Sequence, residues 1–394
     1  MTIIIQKFGG TSLATTNKII LAAQRVALAK QSGFNPIVVV SAMAGATNQL
    51  ISYCLEISNI ATFEQKAEYD AVLSSGENIT AALMSLALNK LGLKAQSLQG
   101  WQIPIKTNDN YACGGIIEIE NKILLNLLSQ NIIPVITGFQ GISPEGKITT
   151  LGRGGSDITA VAIAAATKAE RCDIYTDVNG VFTADPRFVT EAKKRNFITY
   201  DDMLEFSILG AKVLHYRAVE IAMRYNVVTR ILSSFENNEG TVIANHFNEE
   251  VLMEKIKITG IAHNDKIALL KIDTTNSKLK TIIINELLKE KVAIVSILSF
   301  GVDLSIIISL TDVAAVKNIF DKHNISYKIN SNLALVSVVG IGINNDLEIL
   351  SIITNLVKDM DYLNVATTKI SFLLDLTLLD PTIKSLHKGL ENYL

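Results

Sequence analysis

The chain opens with a short apolar run, residues 2–7, which meets two glycines and is followed by a helix-rich stretch over residues 13–30. This order predicts a strand, a glycine turn and a helix. Continuous apolar runs recur at residues 37–40, 132–137 and 173–176, with helical stretches between them. Such runs are typical of strands buried on both faces of a parallel sheet. The first part of the chain is therefore predicted to be α/β, with its ligand site at the carboxyl ends of the strands.

The alternation stops at the polar turn residues 236–240, and residues 245–250 are polar again, which predicts a domain boundary in this region. Beyond it, similar short strands begin at residues 257 and 335, about 78 residues apart. Each strand is followed by a helical stretch and further strands. The C-terminal part is therefore predicted to be two tandem βαββαβ units.

Composition narrows the class of partner. A length of 394 residues suits two or three domains, and 36 basic against 38 acidic side chains predict no attraction to nucleic acid or to an anionic membrane. The mean hydropathy of +0.31 is high, yet apolar stretches such as residues 333–343 are shorter than the ~18 residues of a spanning helix. The N-terminus resembles no export signal. We expect a cytoplasmic protein with a small-molecule partner.

Cysteine and histidine spacing predicts neither a disulfide framework nor a zinc site. Cys54, Cys113 and Cys172 are odd in number and far apart, which favours reduced thiols. The five histidines do not fall at zinc-ligand spacing. No metal ligand set is therefore predicted.

The first candidate motif is Lys-Phe-Gly-Gly-Thr-Ser at residues 7–12, between a predicted strand and a predicted helix. Glycines let backbone N–H groups approach phosphate oxygens, and a helix N-terminus adds positive potential. Lys7 would neutralise a phosphoryl group. The alternative is a tight turn with an exposed lysine. The P-loop and dinucleotide-binding signatures do not occur in the sequence.

The second motif is Leu-Gly-Arg-Gly-Gly-Ser-Asp at residues 151–157, at the start of an Ala-rich helix over residues 158–167. Small residues at a helix start form an anion-binding nest, and Arg153 offers a planar fork for a carboxylate. Asp157 is predicted to act electrostatically or to hold a magnesium-bound water. The alternative is an ordinary capped helix with Ser156 or Asp157 as the N-cap.

The third motif covers residues 175–187, where a strand end leads into a turn-rich loop. Asp177 and Asp185 are candidates for binding ribose or base donors, Phe182 for packing on adenine, and Arg187 for reaching phosphate. The alternative is an ordered surface turn.

Together with Ser-Ser-Gly-Glu at residues 74–77, these motifs resemble the aspartokinase branch of the amino acid kinase family in order and spacing, over nearly the whole chain. The resemblance implies an α/β fold, with a three-layer parallel-sheet kinase domain over residues 1–245. Two α+β ferredoxin-like (ACT) units are implied to follow at residues 256–330 and 331–394. It also implies a homo-oligomer that pairs through the ACT units.

The implied reaction is transfer of the γ-phosphoryl group of ATP to the side-chain carboxylate of L-aspartate, giving 4-phospho-L-aspartate, on the route to lysine, threonine and methionine. Mg²⁺ would be held mainly by the ATP phosphates and water. The implied catalytic residues are Lys7 and Asp157. The implied aspartate-binding residues are Ser41, Thr47, Glu77, Arg153, Gly154, Gly155 and Ser156. The implied ATP-binding residues are Lys7, Gly9, Gly10, Ser12, Thr176, Asp177, Phe182, Asp185, Arg187 and Lys212.

Two of these assignments have structural alternatives. Glu77 is alternatively a solvated acid at the start of a helix beginning near Asn78. Lys212 is alternatively a solvated lysine near the end of a helix that a capping box over residues 199–202 opens. The chemistry is nevertheless coherent, because a carboxylate nucleophile is already ionised at neutral pH and needs no general base.

Several positions depart from the family pattern. The loop after Ser41 lacks one acidic residue, and Asn179 and Phe182 replace an aspartate and a tyrosine. The effector loops at residues 273–277 and 345–347 lack the glycines that a closely approaching ligand requires, so feedback by lysine or threonine is the weaker expectation.

Three other interpretations remain open at this level. Met253 lies where some relatives start a separate short subunit, although an ordinary internal methionine is the simpler interpretation. A second interpretation is that the chain is a sister kinase that acts on glutamate, acetylglutamate, carbamate or a nucleotide. A third interpretation is a non-catalytic amino-acid sensor, in which the ACT-like pair binds a ligand and the kinase fold is a scaffold.

Overall fold

A computed structural model of the chain describes residues 2–210, 213–245, 258–273, 277–290, 292–301, 303–357, 360 and 362–394. The chain forms two compact units. The first comprises Met1–Val181, Lys194–Leu204 and Lys212–Glu249, and the second comprises Phe182–Lys193, Glu205–Ala211 and Glu250–Leu394. The sequence-predicted Lys212, Met253 and residues 274–276 of the first effector loop lie outside the described residues.

The elements up to residue 243 alternate between strands and helices, as the apolar runs predict. The strands are β1 (Ile3–Phe8), β2 (Asn35–Val40), β3 (Ala95–Leu98), β4 (Ile105–Thr107), β5 (Ile116–Ile119), β6 (Ile133–Thr137), β7 (Gln140–Ile142), β8 (Ile148–Thr150), β9 (Arg171–Thr176), β10 (Phe197–Ile198), β11 (Thr229–Ser233) and β12 (Thr241–Ile243). The helices are α1 (Thr16–Gln31), α2 (Ala46–Ile57), α3 (Phe63–Lys90), α4 (Lys122–Ser129), α5 (Gly155–Thr167), α6 (Tyr200–Ile208) and α7 (Tyr216–Tyr225).

Eight of these strands form one sheet in the order β10-β12-β11-β9-β1-β2-β6-β3. All neighbouring pairs are parallel except β11 and β12. The four strands predicted from apolar runs are the adjacent central strands β9, β1, β2 and β6. Their carboxyl ends therefore lie side by side, which is where a ligand site is expected.

The sheet is covered by helices that bury its apolar side chains. One core cluster joins Phe8 and Val38 of the sheet to Val26 of α1 and Met84 of α3, all fully buried. Helix α5 packs against β1, β2 and β9 and also against α7. A smaller sheet, in the order β5-β4-β7-β8, leads into the segment that precedes α5.

Helix α3 is 28 residues long and begins at a capping box formed by Thr62 and Gln65. It is long and apolar enough to cross a membrane by composition, but 56% of its most apolar window is buried inside the fold, which is typical of a core helix.

The elements of the second unit begin with β13 (Gly260–Asn264) and end with a C-terminal helix. The strands that follow β13 are β14 (Ile267–Asp273), β15 (Ile294–Phe300), β16 (Asp303–Ser309), β17 (Tyr327–Asn330), β18 (Leu333–Val339), β19 (Tyr362–Val365) and β20 (Lys369–Asp375). The helices are α8 (Ser277–Lys289), α9 (Val313–Lys322), α10 (Leu347–Leu356) and α11 (Leu379–Gly389).

These strands form two four-stranded antiparallel sheets, β15-β16-β14-β17 and β13-β18-β20-β19. The first sheet has the complete βαββαβ order within residues 267–330. The second takes its edge strand β13 from before the first sheet, where Gly260 to Asn264 pair with Val339 to Leu335. This pairing departs from the tandem arrangement that the sequence predicts. It is favoured because Ile261 then packs in the same core as Val336 and Val338.

Candidate functional site

A cleft of about 280 Å³ opens at the carboxyl ends of β1 and β2, beside the start of α5. It brings together the sequence-predicted Lys7, Gly10, Ser41, Thr47, Glu77, Arg153, Gly154, Gly155, Ser156 and Asp157. Its other lining residues are Ala42, Met43, Ala44, Gly45, Phe139 and Gly152. Five segments that are far apart in the sequence therefore meet at one place, as a site at the strand ends requires.

Lys7 lies near the end of β1, a strand whose six residues are all buried. Only 8% of Lys7 is exposed, so the alternative of an exposed lysine in a turn is wrong. Its Nζ is 2.5 Å from Oδ1 of Asp157, in the first turn of α5. A cation on the strand and an acid on the helix are thus paired inside the cleft, where low solvent access strengthens their interaction.

The glycine turn after β1 brings backbone close to the neighbouring loop. A Cβ added to Gly10 would lie 3.0 Å from the carbonyl oxygen of Ala42, so a side chain would push the two loops apart. Gly9 donates its N–H to the carbonyl of Tyr175 at 3.1 Å. Ser12 is buried, and its hydroxyl is 2.5 Å from that of Ser234. Of these predicted phosphate-binding residues, only Gly10 lines the cleft.

The loop after β2 turns through Gly45, which has a φ of +85°. Helix α2 then begins at Ala46 and places Thr47 in its first turn. Ser41 donates its N–H to the carbonyl of Phe8, which attaches this loop to the end of β1. The missing acidic residue of the family pattern does not prevent Ser41 and Thr47 from reaching the cleft.

Glu77 lies in the middle of α3, so the alternative of a solvated acid at a helix start is wrong. It is 3% exposed. Its Oε1 accepts the N–H of Ala42 at 3.0 Å, whereas Oε2 is buried without a hydrogen-bond partner in the described part of the chain. Burial raises the pKa of Glu77 to about 7, against the opposing effect of the Ala42 N–H. A cationic ligand beside this carboxyl group would therefore lower its pKa and favour its ionised form.

The segment before α5 turns through two glycines with positive φ, Gly152 at +79° and Gly154 at +71°. Gly154 is the N-cap residue and no side chain caps the helix, so the alternative in which Ser156 or Asp157 is the N-cap is wrong. A Cβ on Gly154 would clash with the ring of His215. Arg153, between the two glycines, is exposed and lines the cleft.

Phe139 and His215 border this segment and were missed by sequence reasoning. Phe139 follows β6, has a φ of +71° and accepts the N–H of Leu151 with its carbonyl. Its position after a central strand is the signal that identifies it. Burial lowers the pKa of His215, although nearby Asp157 acts in the opposite direction, and the lowered pKa favours the neutral ring.

The predicted nucleotide-binding residues follow β9 and are distributed over both units. Thr176 ends β9 and donates its hydroxyl to the exposed Asp177 at 3.2 Å. In the second unit, Phe182 is half-buried, and Asp185 accepts hydrogen bonds from the backbone and guanidinium of Arg187. These residues do not line the 280 Å³ cleft, and their role remains a prediction.

A second cleft of about 300 Å³ lies beside α1 and β11 and contains two arginines. Both are already bonded to protein acceptors. Arg230 forms a bidentate pair with the buried Asp173, and Arg25 donates to Ser234, Glu236 and Asn237.

In the described ranges, no group of three or more His, Cys, Asp or Glu side chains is arranged to hold a metal ion.

The sequence profile of the amino acid kinase family matches residues 2–233, which is more than half of the chain, and the chain belongs to this family. An aspartokinase of Rickettsia felis is 40% identical over 388 residues, covering 95% of this chain and 96% of the relative. Aspartokinase 2 of Bacillus subtilis is 46% identical over 283 residues, covering 72% of this chain and 68% of the relative. Within the family, the chain belongs with the aspartokinases.

Solved structures show the same fold. Escherichia coli aspartokinase III in complex with aspartate and ADP has a TM-score of 0.84 at 22% identity, covering 99% of this chain and 100% of the other. The aspartate kinase of Synechocystis has a TM-score of 0.56 at 30% identity, covering 99% of this chain and 69% of the other. The predicted fold class, a parallel-sheet domain followed by two ferredoxin-like units, is confirmed.

Proposed function

We propose that this chain phosphorylates the side-chain carboxylate of L-aspartate with ATP. The observation that carries the proposal is the meeting of Lys7, Asp157, Glu77 and Arg153 at one cleft. Two cations suit the carboxylates and phosphates of the reactants, and the buried Glu77 suits an ammonium group.

Aspartate has an ammonium group and two carboxylates, and the cleft has a complementary group for each class of charge. Glu77 binds the ammonium group, which supplies the partner that its buried Oε2 lacks. Arg153, with the Gly154 to Ser156 backbone beside it in the cleft, binds a carboxylate. Ser41 and Thr47, from the segment after β2, also line the cleft and complete the aspartate site.

In the proposed reaction, an oxygen of the side-chain carboxylate attacks the γ-phosphorus of ATP. A new P–O bond forms, the bond to the β–γ bridging oxygen breaks, and ADP leaves with that oxygen. The protein has little covalent work to do, because such transfers depend on positioning and on neutralising charge. Lys7 neutralises the transferring group, and Asp157 orients Lys7 through their ion pair.

Mg²⁺ bound with ATP would supply neutralisation of the phosphate charge. Asp157 is the acid that the sequence predicts to hold a magnesium-bound water, and it lines the cleft. The described residues contain no group of three or more possible metal ligands, so the site suits an ion that is held mainly by the nucleotide. We assign the binding of ATP to Thr176, Asp177, Phe182, Asp185, Arg187 and Lys212, together with Gly9, Gly10 and Ser12.

The direct test is trapping of the acyl phosphate with hydroxylamine. Purified protein with ATP, Mg²⁺ and aspartate should give aspartyl hydroxamate, and glutamate or acetylglutamate should give far less. Hydroxamate formed only with another acid would favour a sister kinase. ATP binding without any hydroxamate would favour a non-catalytic sensor.

The finer parts of the proposal concern pathway, regulation and assembly. We place the product at the start of lysine, threonine and methionine formation, in the cytoplasm, and we assign the two ferredoxin-like units to homo-oligomerisation and amino-acid effects. In the second effector loop, Asp346 is occupied as the N-cap of α10, accepting the N–H groups of Glu348 and Ile349. Lysine and threonine titrated separately and together in the hydroxamate assay test regulation, and sedimentation tests assembly.

A further inference from the structure

Helix α3 carries a second buried acid, Asp70, that the proposed chemistry does not use. Asp70 is completely buried, and it lies seven residues before Glu77. Residues at this spacing share one face of a helix, and they are separated along its axis by about 10 Å, because each residue rises ~1.5 Å. The helix therefore presents two carboxyl groups to the same side of the unit.

Asp70 accepts hydrogen bonds from two other segments. Its Oδ2 accepts the N–H of Thr150 at 2.7 Å and the N–H of Ala112 at 2.9 Å. Its Oδ1 accepts the hydroxyl of Thr150 at 2.6 Å. A buried carboxylate with several such donors is a stable structural tie, whereas removing it leaves the donors buried and unpaired.

Thr150 is the last residue of β8, and Arg153 follows it by three positions. Leu151 lies between them, and its carbonyl oxygen accepts a hydrogen bond from Nη1 of Arg217 at 2.5 Å. Nη2 of Arg217 also binds the carbonyl of Gly114 at 2.8 Å, and the N–H of Gly114 binds the carbonyl of Thr150 at 2.7 Å. The chain leading to Arg153 is thus held by Asp70 at Thr150 and by Arg217 at Leu151.

We propose that Asp70 is a positioning residue for aspartate binding: from the same helix as Glu77, it fixes the start of the Arg153 loop and so sets the spacing between the two groups that hold the substrate. This inference rests on the proposed function. It predicts that loosening the tie affects aspartate more than ATP, and that it weakens discrimination against glutamate, which is one methylene longer.

The sharpest test compares two neighbouring threonines of β8. Thr150→Val removes the hydroxyl that Asp70 accepts and keeps the shape of the side chain. Thr149→Val is the matched control, because Thr149 is equally buried and its hydroxyl bonds to Thr107 at 2.6 Å instead. Asp70→Ala removes the whole tie, and Asp70→Asn retains an acceptor oxygen and is expected to restore part of the function.

The expected result is a rise in KM for aspartate of roughly threefold or more for Thr150→Val and roughly tenfold or more for Asp70→Ala, since small misplacements of binding groups have large effects. KM for ATP should stay within about twofold of the wild-type value. The ratio of kcat/KM for aspartate over glutamate should fall in the same order. Hydrogen exchange should accelerate at the amides of Ala112 and Thr150 in Asp70→Ala.

The inference is overturned if Thr150→Val and Thr149→Val change KM for aspartate equally, or if Asp70→Ala changes both KM values in step. The threonine pair decides the question even if Asp70→Ala does not fold. A wild-type protein that forms no aspartyl hydroxamate would refute the proposed function itself, which is a different outcome from normal turnover with an unchanged KM in the variants.

Discussion

Replacing Glu77 by Gln should remove a loss of stability that the wild-type protein undergoes as the pH rises, while impairing the use of aspartate. Folding raises the pKa of Glu77 from 4.5 to about 7 by burial. A group whose pKa is raised in the folded state contributes stability below its unfolded pKa and loses that contribution as pH rises through the folded value. Because of Glu77, the free energy of unfolding of the wild-type protein therefore falls as the pH rises from about 4.5 to about 7. Glutamine does not titrate, so the variant lacks this fall.

The size of this effect follows from the shift. Each pKa unit corresponds to about 1.4 kcal/mol, and the rise from 4.5 to about 7 therefore corresponds to about 3–4 kcal/mol. At 3% exposure, solvent screening reduces this figure little. Glutamine can still accept the N–H of Ala42, and any cost of burying its NH₂ group is the same at both pH values. The pH-dependent difference between the two proteins isolates the carboxyl group.

The assay is urea unfolding of both proteins at pH 5 and pH 8, analysed by linear extrapolation. The free energy of unfolding of Glu77→Gln, relative to wild type, should rise by about 2–3 kcal/mol from pH 5 to pH 8. Glu68→Gln is the matched control, since Glu68 is exposed on the same helix, and it should show no such change. Parallel pH profiles for wild type and Glu77→Gln would refute this account of the site.

Substrate binding gives the same group a second, independent readout. An ammonium ligand favours ionised Glu77, so KM for aspartate in the wild-type protein should rise as pH falls below about 7. Glu77→Gln should have a high KM for aspartate at every pH and should lose this dependence. A steep pH dependence that persists in the variant would assign the titration to another group.

Three further predictions test other parts of the structure. Lys7→Ala should reduce kcat by roughly 10²–10³-fold, measured as hydroxamate formation at saturating ATP. Gly154→Ala should destabilise the fold by more than about 1 kcal/mol, because φ is +71° and the added Cβ meets the His215 ring; an unchanged melting temperature would contradict this. The buried hydroxyls of Ser337 and Ser371 bond to each other at 2.7 Å, so replacing one by Ala should cost about 1–3 kcal/mol and replacing both should cost less than the sum.

The sequence predicted the central sheet because its strands are continuous apolar runs, and four such runs became the adjacent strands β9, β1, β2 and β6. It did not predict the pairing of β13 with β18, since local patterns do not encode which edge a short strand joins. It also placed a helix start near Asn78, although α3 begins at Phe63. Polar residues on a buried face had hidden the continuity of this helix.

The candidate site was predictable where glycines and charges occur together, as around Lys7 and Arg153. Asp70 and Phe139 were missed because neither belongs to a compact motif. Their contributions depend on contacts between segments distant in sequence, such as the 2.7 Å hydrogen bond from the Thr150 N–H to Asp70. The burial that raises the pKa of Glu77 likewise depends on tertiary packing.

The central claim is that the cleft containing Lys7 transfers phosphate to aspartate. The most direct measurement is ATP-dependent aspartyl hydroxamate formation by wild type and Lys7→Ala, with unfolding curves to verify that both proteins are folded. The account predicts turnover by wild type and a loss of at least roughly 10²-fold in the variant. No hydroxamate from wild type, or equal turnover by both proteins, would contradict it.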